Sequence, residues 1–549
     1  MKRIFIFGIG GTGCRVLRSL NFLLAAGVKG FGYDTEVFPI IIDYDKENGD
    51  KTRTLKCIDN YVNIHNIAYK YHHQDQEGKT ALEQEYFVTR IRQMQDALHD
   101  LHQDSSGSSF DLVFAPNQED KKFKNYIGAD QMATNMANTT FLLDSLYDNS
   151  AADDRAELEI DMTVGFKGNP NIGSVVFHKL KNAPEFSDFA RLFDPTTDRV
   201  MIVGSLFGGT GSSGIPELIY AIRNHERMSV RDARLGVIMV LPYFSVSPLE
   251  GSPINSNRFD SKTKAALAYY QDSHTNELVN SIYYIGDKTH SNLNHSIGGS
   301  DQLNNANIVE FLSALAIIHF VNSDPTNNFR GKPTNDKPTK YFKYGVSGIL
   351  YGDQRSIKDL DLRHFAQDAE NAYIFSALNS LTLALKYFHD CIEGDRKAME
   401  KEASWYRDLK LEKLDWTAEP TADKPAPLRD LLYYLHEYYV KYNAWLKELA
   451  DPNNGHVFHP YNLETPEGTD NYGLHTIYTH KRQVQTSNGS EKPTIKKDDL
   501  DLAMNVARSH VGHGHIIDGK LMTQPEFIFM DILRQACDDI LRDVNKISI

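Results

Sequence analysis

Residues 202–222, IVGSLFGGTGSSGIPELIYAI, carry the pattern on which the fold of this chain turns. An apolar strand pattern runs into Gly208, Gly209, Thr210, Gly211, Ser212, Ser213 and Gly214, after which Ile215, Leu218, Ile219 and Ile222 repeat on one helical face. Small residues at this density weaken a packed element, because glycine loses much freedom on folding and brings no side chain to bury. They make chemical sense where backbone N–H groups surround anionic oxygens and Thr or Ser hydroxyls add donors. A strand, a glycine loop and a helix in this order form an expected phosphate cradle, with the helix N-terminus facing the anion.

The same arrangement opens the chain. An apolar run at 4–7 leads into Gly8, Gly10, Gly11, Thr12 and Gly13, and Val16, Leu17, Leu20, Leu23 and Leu24 then share a helical face. This loop satisfies GxGxxG, so a dinucleotide site with Asp43 or Asp45 as the ribose acid is open, as is a ligand-free tight turn. It also resembles the adenylate site of ubiquitin-activating-type enzymes. Gly78-Lys79-Thr80 is no P-loop, because His73 stands where the first glycine is required.

Further strand patterns fall at 38–42, 112–114, 200–203, 235–241 and 282–285. Apolar runs alternating with helices predict an α/β unit around a parallel sheet. Residues 307–321 (NIVEFLSALAIIHFV) are apolar all round and predict an interior helix. Residues 325–340 are rich in Pro, Asn and Lys and read as a loop or linker. A strand pattern at 341–351 and helical patterns near 355–390, 427–449 and 524–546 suggest a second, mixed or mainly helical domain. The expected division is 1–322, with an insertion at about 50–155, a linker at 323–340 and a C-terminal domain at 341–549.

Composition narrows the function classes. The chain has 549 residues, 41% hydrophobic and 24% charged, enough for several cores. A formal net charge of −14 argues against general nucleic-acid binding. Four cysteines, Cys14, Cys57, Cys391 and Cys537, form no CxxC pair, which fits a reducing cytoplasm. The apolar start is too short and glycine-rich for a signal peptide, and no run suits a membrane span. His510, His513 and His515 are spaced by flexible glycine and read better as a polar loop than as a metal site. His72 and His73 read as surface residues, and no nucleophile with a triad signature is evident.

Residues 1–322 resemble the tubulin/FtsZ family. FGGTGSSG is similar to its GGGTG[ST]G signature, with Phe207 in place of the first glycine. Residues 165–173, GFKGNPNIG, resemble the loop that closes over the terminal phosphate, with Gly168 and Asn169 matching and Lys167 adding charge. IIIDYD resembles the strand and acidic loop of the family, Asp45 matching its acid and Asp43 replacing an Asn. PYFSVSPLEG is similar to the ribose-contacting loop, with Glu250 as the match and Arg258 as a weaker one. QLNNANIVEFLSALAI resembles the start of the core helix. Asn307 is then the guanine contact, with Asn304 as a register alternative and helix capping by Asn304 or Asn305 as the structural one.

The resemblance implies a GTP or GDP site built from Gly10, Gly11, Thr12, Gly13, Cys14, Asp45, Gly168, Asn169, Gly208, Gly209, Thr210, Gly211, Ser212, Glu250 and Asn307, with Mg2+. It implies head-to-tail self-association into filaments or oligomers and hydrolysis completed by a neighbouring subunit. Asp324 is the candidate catalytic acid or a turn residue before Pro325. Asn327 stands where a further Asp is expected, and Cys14 and Arg15 replace the usual Asn after the first loop. Two other readings stay open: a regulatory or structural protein that holds nucleotide without hydrolysis and serves a dedicated protein partner, and an NAD-dependent oxidoreductase using the first loop.

Overall fold

The computed structural model describes residues 2–70, 85–105, 110, 121–129, 131–132, 139–147, 157–166, 168–246, 259–287, 291–293, 299–323, 329–345, 369–393, 399–400, 403–421, 423–451, 497–511, 515–517, 520–522 and 524–547. Its framework is a seven-stranded sheet. The strands are β1 (Lys2–Ile9), β2 (Thr35–Ile42), β3 (Arg90–Ile91), β4 (Arg199–Ser205), β5 (Arg234–Val240), β6 (Ser281–Gly286) and β7 (Lys340–Gly345). They lie in the order β3-β2-β1-β4-β5-β6-β7, and every pairing is parallel. The α/β expectation from the apolar runs is therefore met.

Both faces of the sheet are buried, as a parallel sheet requires. Along β1, Ile4 and Ile6 enter one core while Phe5, Phe7 and Ile9 enter the other. Each of these side chains is fully buried, a contribution of about 1.5–3 kcal/mol apiece relative to exposure. The first face is covered by α1 (Gly10–Ala25), α2 (Gly49–Ala68) and α6 (Ile308–Asn322). The second is covered by α3 (Pro170–Phe177), α4 (Gly209–Arg223) and α5 (Phe259–Asp272).

The mainly helical C-terminal region contributes α7 (Ala369–Glu393), α8 (Pro427–Ala450), α9 (Lys497–Val511) and α10 (Pro525–Ile547). Helix α8 sits directly on α1. Phe22 lies 4.9 Å from Trp445, 5.3 Å from Tyr442 and 5.5 Å from Tyr438, ring centre to ring centre. The Tyr438 hydroxyl also donates to Asn21 Oδ1 at 2.8 Å.

Some elements fall elsewhere than the sequence suggested. The strand read at 341–351 is β7, which pairs with β6 as the edge of the main sheet. Within the segment read as an insertion, α2 packs on α1 and β3 extends the sheet. The helical stretch expected near 81–102 is described as Met94–Asp100 with β3 just before it. The expected strand at 112–114, residues 78–80, His72, His73 and the histidine loop at 512–514 lie outside the described residues.

Candidate functional site

The chain leaves β1 for β2 on one side and later returns to β4 on the other. The loops after β1 and β4 thus face each other at the C-terminal edge of the sheet, the switch point where open α/β sheets take ligands. Three helices start here: α1 after Ile9, α3 after Asn169 and α4 after Gly208. None of these three N-cap residues makes a side-chain capping bond. Their first-turn N–H groups therefore have no capping side chain, and three positive dipole ends converge.

Glycine is what lets the loops meet. A Cβ on Gly10, whose φ is +70°, would lie 3.4 Å from Thr210 Cβ and 3.9 Å from Gly211 N. A Cβ on Gly209 would lie 3.0 Å from Gly168 N and 3.1 Å from Asn169 N, so close that the facing backbone would have to give way. Residues 8–13, 165–166, 168–169 and 208–214 therefore form one cradle.

The β4 loop is held from below. Phe207, in the position of the missing glycine, packs among Phe259 at 5.0 Å, Phe244 at 5.2 Å and Tyr243 at 6.1 Å. Pro216 lies inside α4 and has no N–H for the Ser212 carbonyl four residues back; the Tyr270 hydroxyl supplies a donor at 3.3 Å. The Ser212 and Ser213 hydroxyls turn back to the carbonyls of Gly208 and Gly209. The Thr210 hydroxyl instead lies 4.0 Å from where a Gly165 Cβ would stand.

The acidic loop after β2 is also in place. Asp45 is buried, and its carboxylate accepts from Glu47 N at 3.0 Å and Gly299 N at 2.6 Å. Asp43 accepts from Asp45 N at 3.1 Å and Asn48 Nδ2 at 3.0 Å. Carboxylate oxygens accept more than one bond, so both acids keep capacity for a cation. Among the described residues, no group of three or more His, Cys, Asp or Glu could hold a metal by itself. A magnesium ion that takes most of its ligands from phosphate and water needs only one or two carboxylates, so the pair fits it.

Beside the cradle lies a buried ionic network. Arg15 pairs with Asp50 and Glu310 and also donates to the Tyr243 hydroxyl at 2.8 Å. Its Nη2 lies 3.4 Å from Thr12 Oγ1. Burial works against the charge on Arg15, but Glu310, Tyr243 and Asp50 outweigh it and raise its pKa well above the ordinary value. Cys14 faces the core, and burial pushes its thiol well above the ordinary range. Asn307 is the N-cap of α6: its side chain accepts from Val309 N at 3.0 Å, and Asn307 N in turn donates to Glu310 Oε2 at 3.0 Å.

Gly10, Gly11, Thr12, Gly13, Cys14, Gly168, Asn169, Gly208, Gly209, Thr210, Gly211 and Ser212 are thus in or beside the cradle, with Asp45 and Asn307 on segments flanking it. Glu250, Arg258, Lys167 and Asp324 lie outside the described residues. Sequence reading missed Asp50, Tyr243, Lys262 and Gln302. Gln302 Nε2 lies 3.4 Å from a Cβ position on Gly11, and Lys262 Nζ donates to the Gly168 carbonyl at 2.5 Å. None of the four stands in a local motif; only the three-dimensional fold brings them here.

No family model matches the chain, and no curated protein matches it. Among solved structures it is similar to CetZ from Methanosaeta thermophila strain DSM 6194, a tubulin/FtsZ-family protein, at 13% identity and a TM-score of 0.27. The match covers 59% of this chain and 56% of that one, so the chain spans little more than half the length of the structure it matches.

Proposed function

We propose that this chain is a tubulin/FtsZ-like protein that binds GTP or GDP in the cradle between β1 and β4. One observation supports this above the others: three helices without side-chain caps begin around glycines, with Gly10 at a φ of +70° and Gly209 packed tightly against the facing backbone of Gly168 and Asn169. Backbone N–H groups there suit a polyphosphate, since they bring partial positive charge without long side chains. In this reading Gly10 to Gly13 and Gly208 to Ser212 hold the inner phosphates, and Gly168 and Asn169 approach the outer one. Asp43 and Asp45 would hold a magnesium ion, which supplies charge neutralisation to the phosphates. Asn307 would contact guanine, and Glu250 the ribose.

The same reading includes head-to-tail association of copies, a heterologous contact that yields filaments when it does not close. Asp324 from one copy would then act at the neighbour's terminal phosphate. A dinucleotide site at the first loop alone leaves the second glycine loop and the third uncapped helix without a purpose.

The test is to denature the purified protein, identify the released nucleotide by chromatography, and then follow light scattering after adding GTP. Guanine nucleotide with GTP-dependent scattering supports an assembling GTP-binding protein. Guanine nucleotide without scattering supports the binding and removes the assembly. NAD, or no guanine nucleotide even after GTP is added, overturns the proposal.

A further inference from the structure

Lys262 stands in the first turn of α5, where the helix dipole disfavours a cation. Two contacts fix that helix against the β4 loop. Phe259 packs on Phe207 at 5.0 Å, and the Tyr270 hydroxyl bonds the Ser212 carbonyl at 3.3 Å. The Lys262 ammonium, between them in sequence, reaches over to the Gly168 carbonyl at 2.5 Å. Gly168 is suited to this approach in two ways. Its φ of +79° is a conformation other residues rarely adopt, and a Cβ there would lie 2.8 Å from Lys262 Nζ.

The groups of the cradle form a row. Gly10, next to Gly11, meets Thr210, Gly209 meets Gly168, and Lys262 lies beyond Gly168. The Gly11 end is flanked by Gln302 Nε2 and Arg15 Nη1, each 3.4 Å from a Cβ position there, and by Asp50 Oδ2 at 3.6 Å, so its cation is already paired, whereas the Gly168 end is flanked by the Lys262 ammonium. A nucleotide laid along this row places its charge-rich end toward Lys262. Arg15, buried beside Gly11, is committed to Glu310 and Asp50 and does not serve this purpose.

We propose that Lys262 is a ligand-binding residue for the last phosphate of a nucleoside triphosphate and so sets the preference for triphosphate over diphosphate. This rests on the nucleotide reading given above. A phosphate oxygen is a charged acceptor and bonds an ammonium more strongly than the Gly168 carbonyl does. With a diphosphate in the row, Lys262 stays on that carbonyl. With a triphosphate, it turns to the terminal group.

The test measures GTP and GDP affinities of nucleotide-stripped wild type and of K262M, K262Q and K262R, with thermal midpoints recorded for each. K262M is expected to lose about tenfold or more in GTP affinity while GDP affinity stays within about threefold. K262Q keeps a donor for the Gly168 carbonyl but not the charge, so it is expected to behave as K262M; K262R is expected to recover the preference. Equal losses for GTP and GDP, recovery by K262Q, or no loss in any variant overturns the assignment and leaves the nucleotide site standing. A wild type that binds neither nucleotide overturns the underlying reading, and this assignment with it.

Discussion

Arg15 Nε donates to Glu310 Oε1 across 2.5 Å, joining the helix of the first glycine loop to the core helix, with both side chains sealed from water. Asp50 takes a second N–H of Arg15, and the Tyr243 hydroxyl bonds both Arg15 and Glu310. Removing the guanidinium leaves Glu310 buried without its counter-charge and Asp50 with Arg53 as its remaining cation. Arg15→Met should cost about 3–5 kcal/mol, read as a lower urea midpoint. An unchanged midpoint would show that the pair is not sealed as described.

Glu448 of α8 carries the network into the C-terminal region. It pairs with Arg18 of α1 and Arg53 of α2, and it accepts from Ala306 N at 2.7 Å just before α6. Its side chain is 14% exposed, so the loss from Glu448→Ala should be smaller, about 2–3 kcal/mol. Hydrogen exchange in α8 should quicken more than exchange in β4 or β5. Equal change everywhere would mean that α8 is not held by this residue.

Asp198 gives a pH signature. Burial lifts its carboxyl from 3.8 to about 6, although bonds from Asp194 N, Thr197 and Arg3 oppose the shift. The folded chain therefore binds this proton more readily than the unfolded chain. The contribution is fully present below about pH 4 and is lost as pH rises through about 6, by roughly 3 kcal/mol at about 1.4 kcal/mol per unit. In Asp198→Asn, the fall in stability between pH 4 and 6 should be smaller than in wild type. An unchanged slope would assign it to other groups.

All four cysteines are buried and outside any disulfide, and burial raises the thiols of Cys14, Cys57 and Cys537. A thiol-specific reagent should label none of them quickly in the native protein and all four after unfolding. Fast native labelling of Cys14 would place it in the open cleft and not in the core.

Much of this was legible in the sequence, for reasons tied to period and local chemistry. The strands β1, β2, β4, β5 and β6 are apolar runs buried on both faces, so their composition shows them directly. α6 is apolar all round because it is enclosed, and it begins at Ile308, one residue after the expected start. The glycine loops were readable because few other roles suit such a run. By contrast, β3 has two residues, too few for any period, and β7 was separated from its sheet by a polar crossing loop. Arg15 was visible only as a departure from the expected Asn. Its partners Asp50, Tyr243 and Glu310 lie 35, 228 and 295 residues away, and no local pattern announces such contacts. The capping role fell to Asn307 and not to Asn304 or Asn305, a choice decided by register within one loop.

The most direct test is calorimetric titration of GTP, GDP and NAD into nucleotide-stripped wild type and Gly209→Val, with circular dichroism to confirm folding. A Val side chain at 209 would enter the space of Gly168 N and Asn169 N. Saturable binding of guanine nucleotide to wild type, lost in folded Gly209→Val, is the predicted result. Undiminished binding in the variant, or binding of NAD and not GTP by the wild type, would contradict the account.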